Sequence, residues 1–178
     1  IKEFEVDLNK QYKNLSKGMQ SIVSIIIGLA SRAAITIYDE AYTGLDAVAR
    51  EKFYHTLLED YSENPRTIIF STHLIDEVSK LFENVIIIHK GKVILEEETD
   101  LLRTKAFYIN GDSDKVSDVI KNKNVIYKEV IGNNINAAVL YTISKEEKVK
   151  IENMGLEIKS MPLQKLFIHL TSIESEGR

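Results

Sequence analysis

Cysteine is absent from all 178 residues, which excludes disulfides and thiolate metal sites and allows, without proving, a reducing compartment. Long apolar runs are absent too. The most apolar stretch, residues 22–30, is broken by Ser24 and Gly28 and falls far short of the roughly 20 residues a membrane-crossing helix needs. Nothing has the form of a secretory leader, and the opening Ile-Lys-Glu, without methionine, is read as the continuation of a longer protein. A basic excess is lacking. Lysine and arginine total 23 against 27 acids, for a net charge of −4; residues 1–104 hold 12 basic and 17 acidic groups, and residues 105–178 hold 11 and 10. Neither part carries the broad positive footprint of a nucleic-acid binder, so no nucleic-acid partner is expected. What remains is 44% hydrophobic and 28% charged, an ordinary globular composition long enough for one sizeable core or two smaller ones.

The chain is organised around Ala34-Ile35-Thr36-Ile37-Tyr38-Asp39-Glu40. A short, mostly apolar run of this kind predicts a strand buried on both faces of a parallel sheet, with two carboxylates at its carboxyl end. In open α/β sheets that end is where ligands bind. Strand alternation predicts that Asp39 and Glu40 point to opposite sides, so that one could hold a metal through water while the other takes a proton. Taken alone, the run also reads as a strand that simply stops at two polar residues.

Its neighbours narrow the choice. Residues 1–13 are polar and mixed, with apolar alternation only at Phe4, Val6 and Leu8, and read as the tail of something upstream. Asn14-Leu15-Ser16-Lys17-Gly18-Met19-Gln20 then opens a helix with a wide apolar face through Met19, Ile22, Val23, Ile26, Leu29 and Ala30. Ser16 is placed to cap it, and a helix entered through a Ser-x-Gly loop presents free backbone N–H groups to an anion. After the strand, Ala41-Tyr42-Thr43-Gly44-Leu45-Asp46 is a glycine-punctuated loop ending on a cap candidate, followed by a helix over 47–61 closed by Asn64-Pro65. Residues 67–70 predict a second buried strand ending in Ser71-Thr72-His73. Parallel strands joined by a helix bring their carboxyl ends together, so His73 is expected at the rim that holds Asp39 and Glu40. A short helix over 74–82 and a hairpin over 85–95, turning at Lys90-Gly91, follow. Glu96-Glu97-Glu98 reads as a solvated charge run.

Composition changes after about residue 102. Strands over 107–110, 125–131, 135–142 and 156–160 alternate with helices over 112–121 and 144–153, and an amphipathic helix over 163–170 ends the pattern. That βαββαβ order predicts a ferredoxin-like split βαβ unit. It holds no catalytic cluster; His169 and Tyr108, Tyr127 and Tyr141 read as packing or surface residues. The expected division is a partial catalytic domain over 1–104 and an α+β accessory domain over 105–178.

Leu15-Ser16-Lys17-Gly18-Met19, Asp39-Glu40, Thr43-Gly44-Leu45-Asp46 and His73, in that order and context, resemble the second half of an ATP-binding-cassette (ABC) ATPase. They match its signature loop, Walker B strand, D-loop and switch histidine. The resemblance covers residues 14 to about 100, looks particularly like the transporter branch, and in Gly155-Leu156-Glu157 and Pro162-Leu163-Gln164-Lys165-Leu166-Phe167 is similar to the tail of ATPases that serve export-type membrane subunits. It implies an α/β cassette core with a mostly parallel sheet, working as a head-to-tail dimer with a second ABC ATPase subunit. It implies ATP and Mg²⁺ as cofactors, transmembrane transporter subunits as partners, and a cytoplasmic, peripheral location at the membrane face. It also implies roles. Ser16, Lys17, Gly18 and Met19 would meet nucleotide held by a partner, and Asp46 would cross the dimer interface. Asp39 would hold Mg²⁺ through water, Glu40 would deprotonate the attacking water, and His73 would contact the γ-phosphate.

The chain departs from that family pattern in places. Lys17 stands for the second glycine of the usual signature, Met19 for its glutamine, and Ala41 for the proline after the catalytic glutamate. No G-x-x-x-x-G-K-[ST] phosphate loop occurs in these residues and no glutamine loop precedes the signature. The chain alone is therefore expected neither to hold ATP tightly nor to hydrolyse it, and about a hundred further residues are expected ahead of Ile1 in the native protein. Two rivals stand beside this reading. One is a catalytically silent fragment whose tail binds a regulator or second subunit. The other is the terminal lobe of a chromosome-maintenance or repair ATPase, against which residues 1–13 lack heptads and the charge is negative.

Overall fold

The computed structural model describes residues 4, 6 and 9–176; the alternation at Phe4, Val6 and Leu8 lies partly outside them. The chain separates into two units, Ile1–Leu81 and Phe82–Arg178.

In the first unit a single 3-10 turn, Tyr12–Asn14, leads into α1 (Lys17–Ser31), β1 (Ile35–Asp39), α2 (Ala47–Glu63), β2 (Thr67–Ser71) and the one-turn α3 (Ile75–Val78). β1 and β2 pair in parallel, with Ile35 opposite Thr67 and Asp39 opposite Ser71. Both long helices pack on one face of this pair, through Tyr38. The α1 backbone at Gly28 lies so close that a Cβ built there would sit 2.8 Å from the Tyr38 ring. From α2, Phe53 meets Tyr38 edge-on at 5.5 Å between centroids and Phe70 at 5.6 Å. Tyr38, Tyr42, Phe53, Tyr54 and Leu57 are buried, and aromatic side chains of this size dominate the stability of so small a core.

The opposite face corrects the expectation of a strand buried on both sides. Ile35 and Ile37 are 61% and 65% exposed and Ile69 is 48% exposed, so the period-2 alternation puts an apolar row in solvent. With two strands and both helices on the same side, the second layer that a doubly covered parallel sheet requires is not supplied by the described residues. Two further differences appear here. The helix expected over 74–82 closes after Val78, and on α1 Ala30 of the expected apolar face is exposed while Ile25, outside it, is fully buried.

The second unit holds the hairpin β3 (Asn84–His89) and β4 (Lys92–Glu98), then α4 (Thr99–Lys105), β5 (Ala106–Asp112), α5 (Ser113–Ile120), β6 (Val125–Ile131), β7 (Asn134–Leu140), α6 (Lys145–Asn153), β8 (Glu157–Ser160) and α7 (Leu163–Glu176). Lys90 and Gly91 both take positive φ, 47° and 75°, the backbone that a tight two-residue hairpin turn requires. Four strands form an antiparallel sheet in the order β6-β7-β5-β8. Alternation along β5 and β7 loads both of its faces. Phe107, Ile109, Ile135, Ala137 and Val139 pack with Val116 and Ile120 of α5 and Ile151 of α6. Ala106 and Ala138 point the other way, into a core with Val85 and Ile87 of the hairpin, Leu102 of α4 and Leu166 of α7. That second core is why the hairpin and α4 group with the later strands in the compact unit that begins at Phe82. Glu96-Glu97-Glu98 complete β4 opposite Ile86, Val85 and Asn84; Glu96 and Glu98 are exposed, as a solvated run requires, and the half-buried Glu97 pairs with Lys105.

Candidate active site

Each chemically interesting side chain of the first unit sits where an element begins or ends. Ser16 is the N-cap of α1 and accepts a hydrogen bond from the Met19 N–H at 3.3 Å, in the cap role its hydroxyl suits. Lys17 is exposed in the first turn, beside N–H groups that have no intrahelical acceptor. Gly18 is required for a close approach: a Cβ there would lie 2.7 Å from the Gly44 carbonyl oxygen. Ser21 Oγ donates to the Thr43 carbonyl at 3.0 Å. The start of α1 is thus held against the loop over 41–46. That loop ends on Asp46, the N-cap of α2, whose Oδ1 accepts from the Ala49 N–H at 2.8 Å.

Glu40 lies beyond the last residue of β1 and takes φ +48°, a left-handed conformation that costs an ordinary residue roughly 1–2 kcal/mol. The two acids therefore do not part by strand alternation, as expected from the sequence; the turn at Glu40 sets their directions. Its carboxylate meets His73, with Nδ1 at 2.8 Å from Oε1 and 2.7 Å from Oε2, and accepts from Thr43 Oγ at 3.3 Å. His73 is 67% exposed and Glu40 38%, so the pair adds little to stability while remaining open to a ligand. Asp39 accepts a short hydrogen bond from Ser71 Oγ, and the Glu40 N–H donates to that same oxygen at 3.2 Å.

Further contacts fix the loops that carry this rim. The Tyr42 hydroxyl donates to Thr72 Oγ, which in turn accepts the Leu74 N–H at 2.9 Å. Burial pushes the Tyr42 pKa up despite that hydrogen bond, so the phenol stays protonated and remains a donor. Arg50 grips Glu77 through two bonds, 2.9 and 3.2 Å, and donates to the Leu45 carbonyl at 2.9 Å. Geometry thus brings Asp39, Glu40 and His73 to one rim, and separately ties Ser16, Lys17, Gly18 and Met19 at the head of α1 to the loop that ends on Asp46. Ser71 and Thr43 were not singled out from sequence. For Ser71 the signal is the register that puts it level with Asp39, visible only when the two strands are aligned; Thr43 meets Glu40 from three residues away in the same loop.

The chain is similar to several ATP-binding proteins of transporters. NatA, an ABC transporter ATP-binding protein of Bacillus subtilis, is 34% identical over 87 residues, 49% of this chain and 35% of NatA. AlbC of the same organism, assigned to the same class, is 39% identical over 104 residues, 56% of this chain and 43% of AlbC. A lantibiotic transport ATP-binding protein of Streptococcus pyogenes, SrtF, is 33% identical over 88 residues, covering 49% of this chain and 38% of SrtF. The chain spans less than half the length of these curated relatives. No family model matches it.

Proposed function

We propose, from the premise that the homologues of this chain are ABC transporter ATP-binding proteins, that it supplies one part of a composite ATP-hydrolysing site coupled to transport. The observation that carries the reading is the Glu40 carboxylate meeting His73 Nδ1 at the rim where Asp39 ends its strand. In that role Glu40 orients the attacking water and takes its proton, a contribution of about 10²- to 10⁴-fold in rate. His73 steadies the Glu40 carboxylate and stands ready to donate to a phosphate oxygen. Ser16, Lys17, Gly18 and Met19, as a signature loop, offer N–H groups and one positive charge to nucleotide held by a second ATPase subunit, with Asp46 at the interface between the two.

The donor set suits Mg²⁺ held through water. Among the described residues no three His, Cys, Asp or Glu groups converge as a cage, and Mg²⁺ ordinarily takes one or two carboxylates together with waters and substrate phosphates. Asp39 is the exposed strand-end carboxylate that fits. When bound with ATP, the ion neutralises phosphate charge, so catalysis here is chiefly positioning and electrostatics.

The second unit's antiparallel order β6-β7-β5-β8, with α5 and α6 on one face, supports reading it as a ferredoxin-like accessory domain that senses or binds another component. The name of SrtF, a lantibiotic transport protein, favours export as the direction. Separate membrane subunits and a peripheral place at the cytoplasmic face belong to the same reading; no helix among the described residues is long and apolar enough to cross a bilayer. Glu40→Gln in the full-length protein tests the assignment. The variant keeps ATP binding, accumulates as a nucleotide-bound dimer and loses hydrolysis by the factor above; hydrolysis at the normal rate overturns Glu40 as the base.

A further inference from the structure

We propose that Ser71 is a positioning residue that sets both rim carboxylates at once. The inference rests on the reading of Asp39 and Glu40 just given. Parallel register places Ser71 directly opposite Asp39 at the last step of β1 and β2. A serine hydroxyl has one proton to give and lone pairs to receive, and here both capacities are used across the strand junction. The proton goes to Asp39 Oδ1, and the oxygen receives the Glu40 N–H at 3.2 Å. The Ser71 carbonyl also faces the Glu40 N–H, but at 3.4 Å, near the outer limit of a useful bond. One hydroxyl therefore fixes the rotamer of the carboxylate assigned to the metal. It also pins the N–H of the residue that turns into the left-handed region at φ +48°.

Two consequences separate this role from simple packing. Ser71 is exposed and its hydroxyl fills no core, so its removal does little to global stability. It does release the Asp39 carboxylate and loosen the turn on which Glu40 is aimed. Loss of the hydrogen bond to a neutral group is expected to have an effect of about fivefold at the Glu40 N–H, and loss of the one to a charged group an effect of about five- to tenfold at the Asp39 carboxylate. Threonine can keep both bonds, whereas cysteine keeps the size but is a weak donor and acceptor.

Three readouts test it. In the 178-residue chain, amide hydrogen exchange at Glu40 quickens about fivefold in Ser71→Ala and Ser71→Cys, while Ser71→Thr matches the wild type. In the full-length protein with bound nucleotide, Mn²⁺ affinity followed by electron paramagnetic resonance weakens about five- to tenfold in Ser71→Ala and returns in Ser71→Thr. Turnover falls in parallel while KM for ATP holds within about twofold, as expected for misaligned groups rather than lost ATP contacts. Unchanged Glu40 exchange and Mn²⁺ affinity in Ser71→Ala overturn the proposal, as does a Ser71→Thr that behaves like alanine. Glu40→Gln in the same assays keeps the two levels apart. Normal hydrolysis in that variant overturns the reading of Glu40 itself. Lost hydrolysis there, with Ser71→Ala unaffected in all three readouts, overturns Ser71 alone.

Discussion

The main sheets of the two units bury their faces differently, although the β3–β4 hairpin of the second also leaves Ile86, Ile88 and Val93 exposed. In the second, β5 and β7 send alternate side chains into two separate cores, and Ile109, Ala137, Ala138 and Val139 are wholly enclosed. In the first, one sheet face is built on Tyr38 and Phe53 while the other leaves Ile35, Ile37 and Ile69 in solvent. The rim groups collect at the edge of the sheet with the open face. They sit at strand and helix ends, where backbone donors are free and side chains stay accessible; among the described residues the four-stranded sheet of the second unit offers packing and no equivalent cluster.

That contrast can be broken most forcefully by matched truncations. Ile109→Ala, at 0% exposure, removes buried volume and is expected to destabilise the second unit by about 2–5 kcal/mol, whereas Ile37→Ala, at 65% exposure, changes stability by no more than about 0.5 kcal/mol. Denaturant unfolding followed by circular dichroism reads both. Equal losses would mean that the Ile37 face is covered in solution. The next effect in size is Gly28→Ala, whose new methyl meets the Tyr38 ring at 2.8 Å and forces helix and strand apart. A cost of about 1–3 kcal/mol is expected, and Tyr38→Leu in the same background should recover part of it by removing the ring.

The smallest expected effect is a pH dependence confined to the second unit. His169 is 8% exposed, lies stacked on Tyr127 at 4.3 Å between centroids, and has Nε2 2.8 Å from the Tyr108 hydroxyl. Burial, helped by the positive charge of Lys165, pushes its pKa down from the usual value near 6.5. A depressed histidine favours the neutral form in the folded state, so its full contribution is present above 6.5. That contribution is lost as pH falls from there through the folded value, because the unfolded chain takes up the proton first. Thermal melts between pH 7.5 and 5 should show the second unit weakening on acidification, with His169→Phe flattening the trend. A first unit that weakens equally would show that the trend comes from elsewhere.

Much of this was legible in local sequence. Ser16 and Asp46 are caps because a short hydroxyl or carboxylate before a periodic apolar run has few other uses. Lys90-Gly91 turns a hairpin, and the strands from Phe107 onward are marked by period-2 patterning between turn residues. His73 could be placed beside Glu40 because a right-handed crossover leaves parallel strands no other arrangement. What escaped depends on partners distant in sequence. The run 34–40 is as apolar as a doubly buried strand, yet whether a second layer covers it is not written in the run. The turn at Glu40 broke the alternation argument, because a left-handed residue is invisible in a pattern of polarity. The hairpin's allegiance to the second unit rests on Val85 and Ile87 meeting Leu166, some eighty residues away. Ser71 needed the register of both strands before its hydroxyl had a meaning.

The central claim is that these residues carry the signature and rim groups of a nucleotide site but not its phosphate cradle, and calorimetric titration of the chain with a non-hydrolysable ATP analogue and Mg²⁺ tests it most directly. The account predicts no binding tighter than about 1 mM, less than roughly 4 kcal/mol at the standard state. A saturable isotherm in the micromolar range would contradict it.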